Sequence, residues 1–275
     1  MSIDHYENFP VASVLLPAQL RHPVSVIYGF ARTADDIADE GDLPAEARIE
    51  ALRRYSEQLD RIGAGELPAA QPVGELFANL AQVIAHYRLD LGLLHDLLSA
   101  FSPDATTRRY SNFEGVLDYC RRSANPVGRL MLALYRHDTP QYRTLSDDIC
   151  TALQLVNFWQ DVAIDRAKDR LYLPLDDLAR FGIDVESLNQ DPSHTAWRSL
   201  MQFEVDRTRT MMLNGAPLAR LLPGRIGLEL RLVVQGGLRI LEKIEQVQFD
   251  VFQRRPVLTW QDWPILIWRA LWMRS

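Results

Sequence analysis

Apolar positions along the chain recur at three- and four-residue intervals, and strand-like alternation is scarce. That periodicity predicts amphipathic helices. In RHPVSVIYGFARTADDIADEG, Val24, Ile27, Ala31, Ala34 and Ala38 form an apolar stripe. Tyr28, Arg32, Asp35 and Asp39 fall in a second stripe roughly 60° wide. A solvated helix sets its charges opposite its apolar face, whereas here the two stripes adjoin, which predicts a helix lining an internal cavity. The segment ALQLVNFWQDVAIDRAKDRLYLP repeats the arrangement, with Gln154, Asn157, Asp161 and Asp165 in a stripe of about 80°. A further helical pattern runs from Phe113 to Tyr135, another covers RLVVQGGLRILEKIEQ, and WQDWPILIWRALWMRS closes the chain. Loops at 63–72, 102–110 and 189–193 separate the long patterns. An all-α, single-domain fold over residues 1–275 follows.

The two acidic pairs carry the chemistry. Asp35 and Asp39, like Asp161 and Asp165, are four residues apart, which on a helix sets them on one face about 6 Å from each other. A single such pair is ordinarily a solvated acidic face with Arg or Lys partners. Two pairs with matching polar neighbours point further. Four carboxylates converging from two helices repel unless a cation lies between them. Mg²⁺ suits that role, because it prefers oxygen and takes one or two carboxylates while phosphate oxygens and waters complete its shell.

The same residues carry a family resemblance. Tyr28-Gly29-Phe30-Ala31-Arg32-Thr33-Ala34-Asp35-Asp36, and Gln154-Leu155-Val156-Asn157 leading to Asp161-Val162, resemble the aspartate-rich motifs of squalene and phytoene synthases. The trailing Arg170-Leu171-Tyr172-Leu173-Pro174 fits as well. The opening His5 to Ser13 and the central Cys120 to Gly128 look like the hydroxysqualene synthase branch of bacterial hopanoid biosynthesis. The resemblance spans about residues 5 to 255. It implies an isoprenoid synthase bundle around an apolar cavity and a prenyl diphosphate substrate, with presqualene diphosphate favoured. It also implies Mg²⁺ on Asp35, Asp39, Asp161 and Asp165, with Phe9, Tyr28, Arg32, Gln154, Asn157, Arg170 and Tyr172 against the substrate.

Two departures bear on the reaction. Gln160 precedes Asp161 where many relatives carry arginine, and Gly236-Gly237 stand where relatives that join two prenyl diphosphates tend to carry tyrosine. Both fit an enzyme that handles one preformed, branched diphosphate. Head-to-head prenyl condensation, and a non-catalytic scaffold relative, are the competing readings. Ser123, Asn125, Pro126 and Gly128 interrupt the 113–135 pattern, and proline there predicts a kink that frees a carbonyl one turn earlier. The kink is either a packing accommodation or a polar feature facing a reacting cation. By the resemblance this helix walls the prenyl pocket, and Asn125, Tyr119 and Ser123 are its candidate catalytic residues.

Composition narrows the rest. With 47% apolar residues the chain can bury a sizeable core, and a net charge of −6 offers no basic field for nucleic acid. Cys120 and Cys150 are too few for a metal framework and read as reduced thiols of a cytoplasmic protein. The six histidines are scattered without zinc-ligand spacing, and no Gly-rich phosphate loop follows a strand. No run approaches the length of a membrane span. Four of the six tryptophans (Trp260, Trp263, Trp268 and Trp272) crowd the C-terminus. They predict a final helix packed on the protein, a peripheral membrane contact, or both on different faces.

Overall fold

A computed structural model of the chain describes residues 16–39, 44–66, 74–101, 109–188 and 195–273. Phe9 and the rest of the opening segment lie outside the described residues, as do the centres of the three expected loops. Among the described residues the regular elements are helical: α1 (Ala18–Asp39), α2 (Ala45–Gly63), α3 (Gly74–Tyr87), α4 (Leu91–Phe101), α5 (Phe113–Ser123), α6 (Asn125–Leu134) and α7 (Pro140–Gln160). Then come α8 (Val162–Ala167), α9 (Leu175–Arg180), a 3₁₀ turn (Val185–Ser187), α10 (Thr195–Gly215), α11 (Leu218–Leu221), α12 (Gly224–Gln246) and α13 (Trp263–Trp272). The β-type pairing among them is an isolated parallel bridge between Arg109 and Leu171. The contacts divide into two compact units.

One unit holds α1 to α4 and α6. Here α1 packs against α2, α3, α4 and α6, so its apolar stripe is covered by neighbours. Phe30, Tyr55 and Phe77 meet at the centre, with Phe30 and Tyr55 stacked at 5.1 Å and Phe77 edge-on to Tyr55 at 4.7 Å. The Tyr55 hydroxyl donates to the Phe30 carbonyl at 3.2 Å, which satisfies a group that burial would otherwise penalise. At the end of α2, Gly65 takes φ +76°, and the Glu66 amide turns back to the Arg61 carbonyl at 2.9 Å. Only glycine adopts that left-handed conformation without strain.

The expected kinked helix over 113–135 is instead two helices. Ala124, at φ −117° and ψ −48°, separates α5 from α6, and Pro126 falls in the first turn of α6. A helix start has no intrahelical acceptor for that position's N–H, so the proline costs nothing there. The Val127 amide bonds the Ala124 carbonyl at 3.1 Å. Proline starts a helix here rather than bending one.

The other unit holds most of α5 and α7 through α13. Its core gathers Trp159, Trp197, Leu155, Leu200, Met201, Ile240 and Leu241, all nearly without solvent exposure. Each such aliphatic side chain contributes about 1.5–3 kcal/mol through burial. The two indoles are polar at one point, and both points are satisfied: Trp159 donates to Thr208 Oγ1 at 2.7 Å, and Trp197 to the Phe249 carbonyl at 2.9 Å. Along α12, a Cβ on Gly237 would stand 2.7 Å from the Met212 methyl and 3.1 Å from a Leu153 methyl. The bare backbone of α12 is what meets those side chains.

Candidate functional site

On α1, Arg32 serves two acids. Its Nη1 lies 2.9 Å from Asp35 Oδ2 and its Nη2 2.7 Å from Asp36 Oδ1. The i+3 and i+4 spacing of one helical turn sets this fork. Both partners keep about a third of their side-chain surface in solvent, so the pairing contributes at most ~1 kcal/mol to stability. Tyr28 is half-buried one turn earlier. Asp39 ends α1, and its side chain lies outside the described residues.

The second acidic pair sits on a bend, not on one straight helix. Asp161 stands between α7 and α8 with φ −106° and ψ 15°. The helical register survives the bend, because the Asp161 amide bonds the Asn157 carbonyl and the Asp165 amide bonds the Asp161 carbonyl, both at 2.9 Å. Asn157 is exposed, while Gln154, Asp161 and Asp165 are half-buried. The Arg170 amide returns to the Asp165 carbonyl at 2.8 Å, which brings Arg170 and Tyr172 back beside the acidic pair.

Asp161 has a partner that no local spacing predicts. Arg255, 94 residues later, forks its carboxylate with Nε at 2.5 Å from Oδ1 and Nη2 at 3.1 Å from Oδ2. Bidentate guanidinium–carboxylate pairs are directional as well as strong. Arg255 lies in the irregular stretch 254–259, where no periodicity assigns a face. The buried Gln160 side chain donates to the carbonyl of Pro256, the next residue.

Tyr119 and Tyr172, far apart in sequence, share one aromatic cluster. Tyr172 lies flat on Phe158, with centroids 3.7 Å apart and planes 3° from parallel. Tyr119 approaches Tyr172 at 5.8 Å, and Tyr110 lies within 5.9 Å of both. Burial pushes the Tyr172 phenol well above its usual range, with Tyr119 and Asp165 adding to the effect against Arg170. The cluster therefore stays neutral and electron-rich, a face suited to a passing cation. Ser123 is half-buried at the end of α5, and Asn125 is buried at the start of α6. Cys120 and Cys150 form no disulfide, and burial pushes Cys120 up to about 12, so it is no nucleophile.

The donor chemistry fits Mg²⁺. Asp35 and Asp161 offer hard carboxylate oxygens that remain partly open to solvent. Among the described residues no three His, Cys, Asp or Glu side chains converge as a ready-made nest. An ion that takes one or two carboxylates and fills its shell with water and phosphate needs no such nest. Arg32 pairs with Asp35 and Arg255 with Asp161, which balances the charge of each carboxylate.

The helical architecture defines the class: the chain has the all-α isoprenoid synthase fold. It belongs to the squalene/phytoene synthase family, which it matches over residues 4–262. It is 36% identical to the hydroxysqualene synthase of Rhodopseudomonas palustris over 241 residues, covering 87% of this chain and 80% of that one. It is 29% identical to the phytoene synthase of Arthrospira platensis over 280 residues, covering 95% and 87% respectively. Among solved structures it resembles squalene synthase HpnC from Alicyclobacillus acidocaldarius, with a TM-score of 0.80, 36% identity, and 89% and 90% of the two chains covered.

Proposed function

We propose that the chain is a hydroxysqualene synthase, a single functional domain that converts presqualene diphosphate and water to hydroxysqualene and inorganic diphosphate. The observation that carries this reading is Gly236-Gly237 on α12. Relatives that join two prenyl diphosphates tend to carry a tyrosine there, whereas this helix offers Met212 and Leu153 only its backbone at Gly237. No phenol enters from that point. Likeness to the Rhodopseudomonas palustris enzyme supports the same reading.

Mg²⁺ held by Asp35, Asp39, Asp161 and Asp165 would neutralise charge on the departing diphosphate. Arg32, Arg170 and Arg255 serve as cationic donors to its oxygens, fixed in direction before substrate binds. Phe9, Tyr28, Gln154 and Asn157 line or orient the substrate. When the C–O bond breaks, the electron pair leaves with diphosphate and a cyclopropylcarbinyl cation remains. Tyr119 and Tyr172 face that cation with neutral aromatic surfaces. Asn125, with Ser123 beside it in sequence, holds one water whose oxygen bonds the rearranged carbon and whose proton passes to solvent. Its amide hydrogen-bonds without the basicity that would strip a proton and yield an alkene.

The test is direct. Purified protein, Mg²⁺ and presqualene diphosphate, without nicotinamide, should give hydroxysqualene. Hydrocarbon alone, or no turnover, sinks the assignment. Likeness to the Arthrospira platensis protein over nearly the whole chain favours a second reading, head-to-head condensation by a prenyltransferase. Farnesyl or geranylgeranyl diphosphate as sole substrate separates the two, because only condensation consumes them.

A further inference from the structure

The C-terminal helix α13 is anchored through one narrow face. It packs on α12 and buries Leu266 and Ala270. The Ala270 carbonyl accepts from Arg231 at 3.2 Å, and Arg269 pairs with Glu242 at 2.5 Å. Before the helix, Asp262 is held by Arg239, Lys243 and the Thr259 amide. The segment is therefore fixed in place.

What α13 leaves outside is apolar. Trp260 is 79% exposed, Trp268 64%, Trp272 63% and Leu271 60%, with Trp263, Ile265 and Ile267 also in solvent. A surface helix ordinarily turns polar residues outward, yet Arg269 is the one charged residue within α13. Trp268 and Trp272 also border a surface depression of about 380 Å³ together with Leu213, Pro217, Arg220 and Arg269. Its charged lining groups are Arg220 and Arg269; Arg269 is paired with Glu242, which leaves Arg220 to carry the positive charge of the rim. This is local, since the chain as a whole carries a net charge of −6.

We propose that this face docks the protein on an anionic lipid bilayer. Tryptophan side chains bridge hydrocarbon and water at the headgroup level, and arginines at the edge of an apolar patch meet phosphate groups there. At 10 residues α13 is too short to cross a bilayer, and no described helix is long and apolar enough to do so. The helix lies along the surface. A second copy of the chain fits less well, because a two-fold contact sets the same patch, Arg220 included, against itself. The inference stands apart from the reaction assigned above.

Full-length protein should be sedimented with vesicles of phosphatidylcholine alone or mixed with phosphatidylglycerol, with indole fluorescence recorded. Binding should favour the anionic vesicles, weaken with salt and shift the emission to the blue. Replacing Trp260, Trp268 and Trp272 together by Ser should weaken binding at least ~10-fold while leaving the circular dichroism unchanged, since all three indoles are exposed. Arg220→Glu, a single exposed change, should remove the preference for anionic vesicles by roughly 10-fold or more. The proposal fails if the wild type stays in the supernatant with both vesicle types, or binds them equally. It also fails if the triple variant binds as the wild type does. Dimerisation that disappears in the triple variant, without vesicle binding, would make the face a contact between copies.

Discussion

The buried side-chain amide of Gln160 donates to the main-chain carbonyl of Pro256. One residue on either side of that bond, Arg255 forks Asp161. The glutamine thus pins the irregular stretch that delivers the arginine, and the two contacts form a short clasp. Gln160→Leu keeps the volume but leaves a buried carbonyl unpaired, at a cost of about 1–3 kcal/mol. We expect kcat/KM for the diphosphate substrate to fall ~10-fold or more, mainly through KM, with helicity unchanged. Gln160→Glu should do worse, because it turns an acceptor toward an acceptor. Wild-type KM in both variants would show that Arg255 needs no such support.

Asp35→Asn and Asp161→Asn test the acidic pairs. Each removes a charged oxygen from a site proposed to stabilise a leaving diphosphate by several kcal/mol, so turnover should drop at least ~100-fold at saturating Mg²⁺. Asp35→Asn should change thermal stability little, since its pair with Arg32 is about a third exposed, whereas Asp161→Asn also weakens a half-buried bidentate pair with Arg255 and should lower it modestly. Normal turnover in both variants would reduce the pairs to surface decoration.

The helical class and the positions of α1, α7, α12 and α13 were legible because burial imposes a 3.6-residue period on sequence. The Arg32 fork was not read from the sequence, which set Arg32 against the substrate, although partners three and four residues apart are neighbours on any helix. Three further features resisted. Ala124 breaks what reads as one helix, because Pro126 is equally compatible with a kink and with a helix start. Asp161 bends the chain while its backbone hydrogen bonds keep register, and the period does not register such a bend. Arg255 pairs across 94 residues from an aperiodic stretch, and only tertiary structure brings it to Asp161.

Stability should fall with rising pH through a buried cluster on α10. Arg207 faces two acids, Glu204 at 2.5 Å and Asp177 at 3.0 Å, so ionising both would leave one negative charge uncompensated inside the protein. Burial pushes Glu204 from 4.5 up to about 8, against the opposing pull of Arg207. The folded state therefore keeps a proton that the unfolded chain releases above about pH 4.5. Its contribution is full below that pH and is lost as pH rises to about 8. Denaturant melts at pH 5, 7 and 8.5 should show the decline in the wild type. Glu204→Gln, which mimics the protonated form, should flatten it. A parallel decline in both proteins would place the titration elsewhere.

The water-holding role assigned to Asn125 can be separated from diphosphate release. Asn125 is 7% exposed at the start of α6, so its amide lies out of bulk solvent where one water can be held in a fixed place. A leucine there has similar volume and keeps the helix start, which Pro126 already favours. It can no longer orient water. Asn125→Leu should therefore release diphosphate in an Mg²⁺-dependent manner at a rate within ~10-fold of wild type, because the ionising step uses the acidic pairs and arginines. Its products should shift from alcohol toward rearranged or eliminated hydrocarbons, because the cation loses a neighbouring proton when no water is presented. Product analysis alongside a diphosphate-release assay reads both quantities from one reaction. Asn125→Asp sharpens the comparison, since a carboxylate positions water but also accepts protons, and it should raise the alkene share above wild type. Hydroxysqualene as the main product of Asn125→Leu at a normal rate would place the water elsewhere, with Tyr119 and Ser123 the next residues to replace.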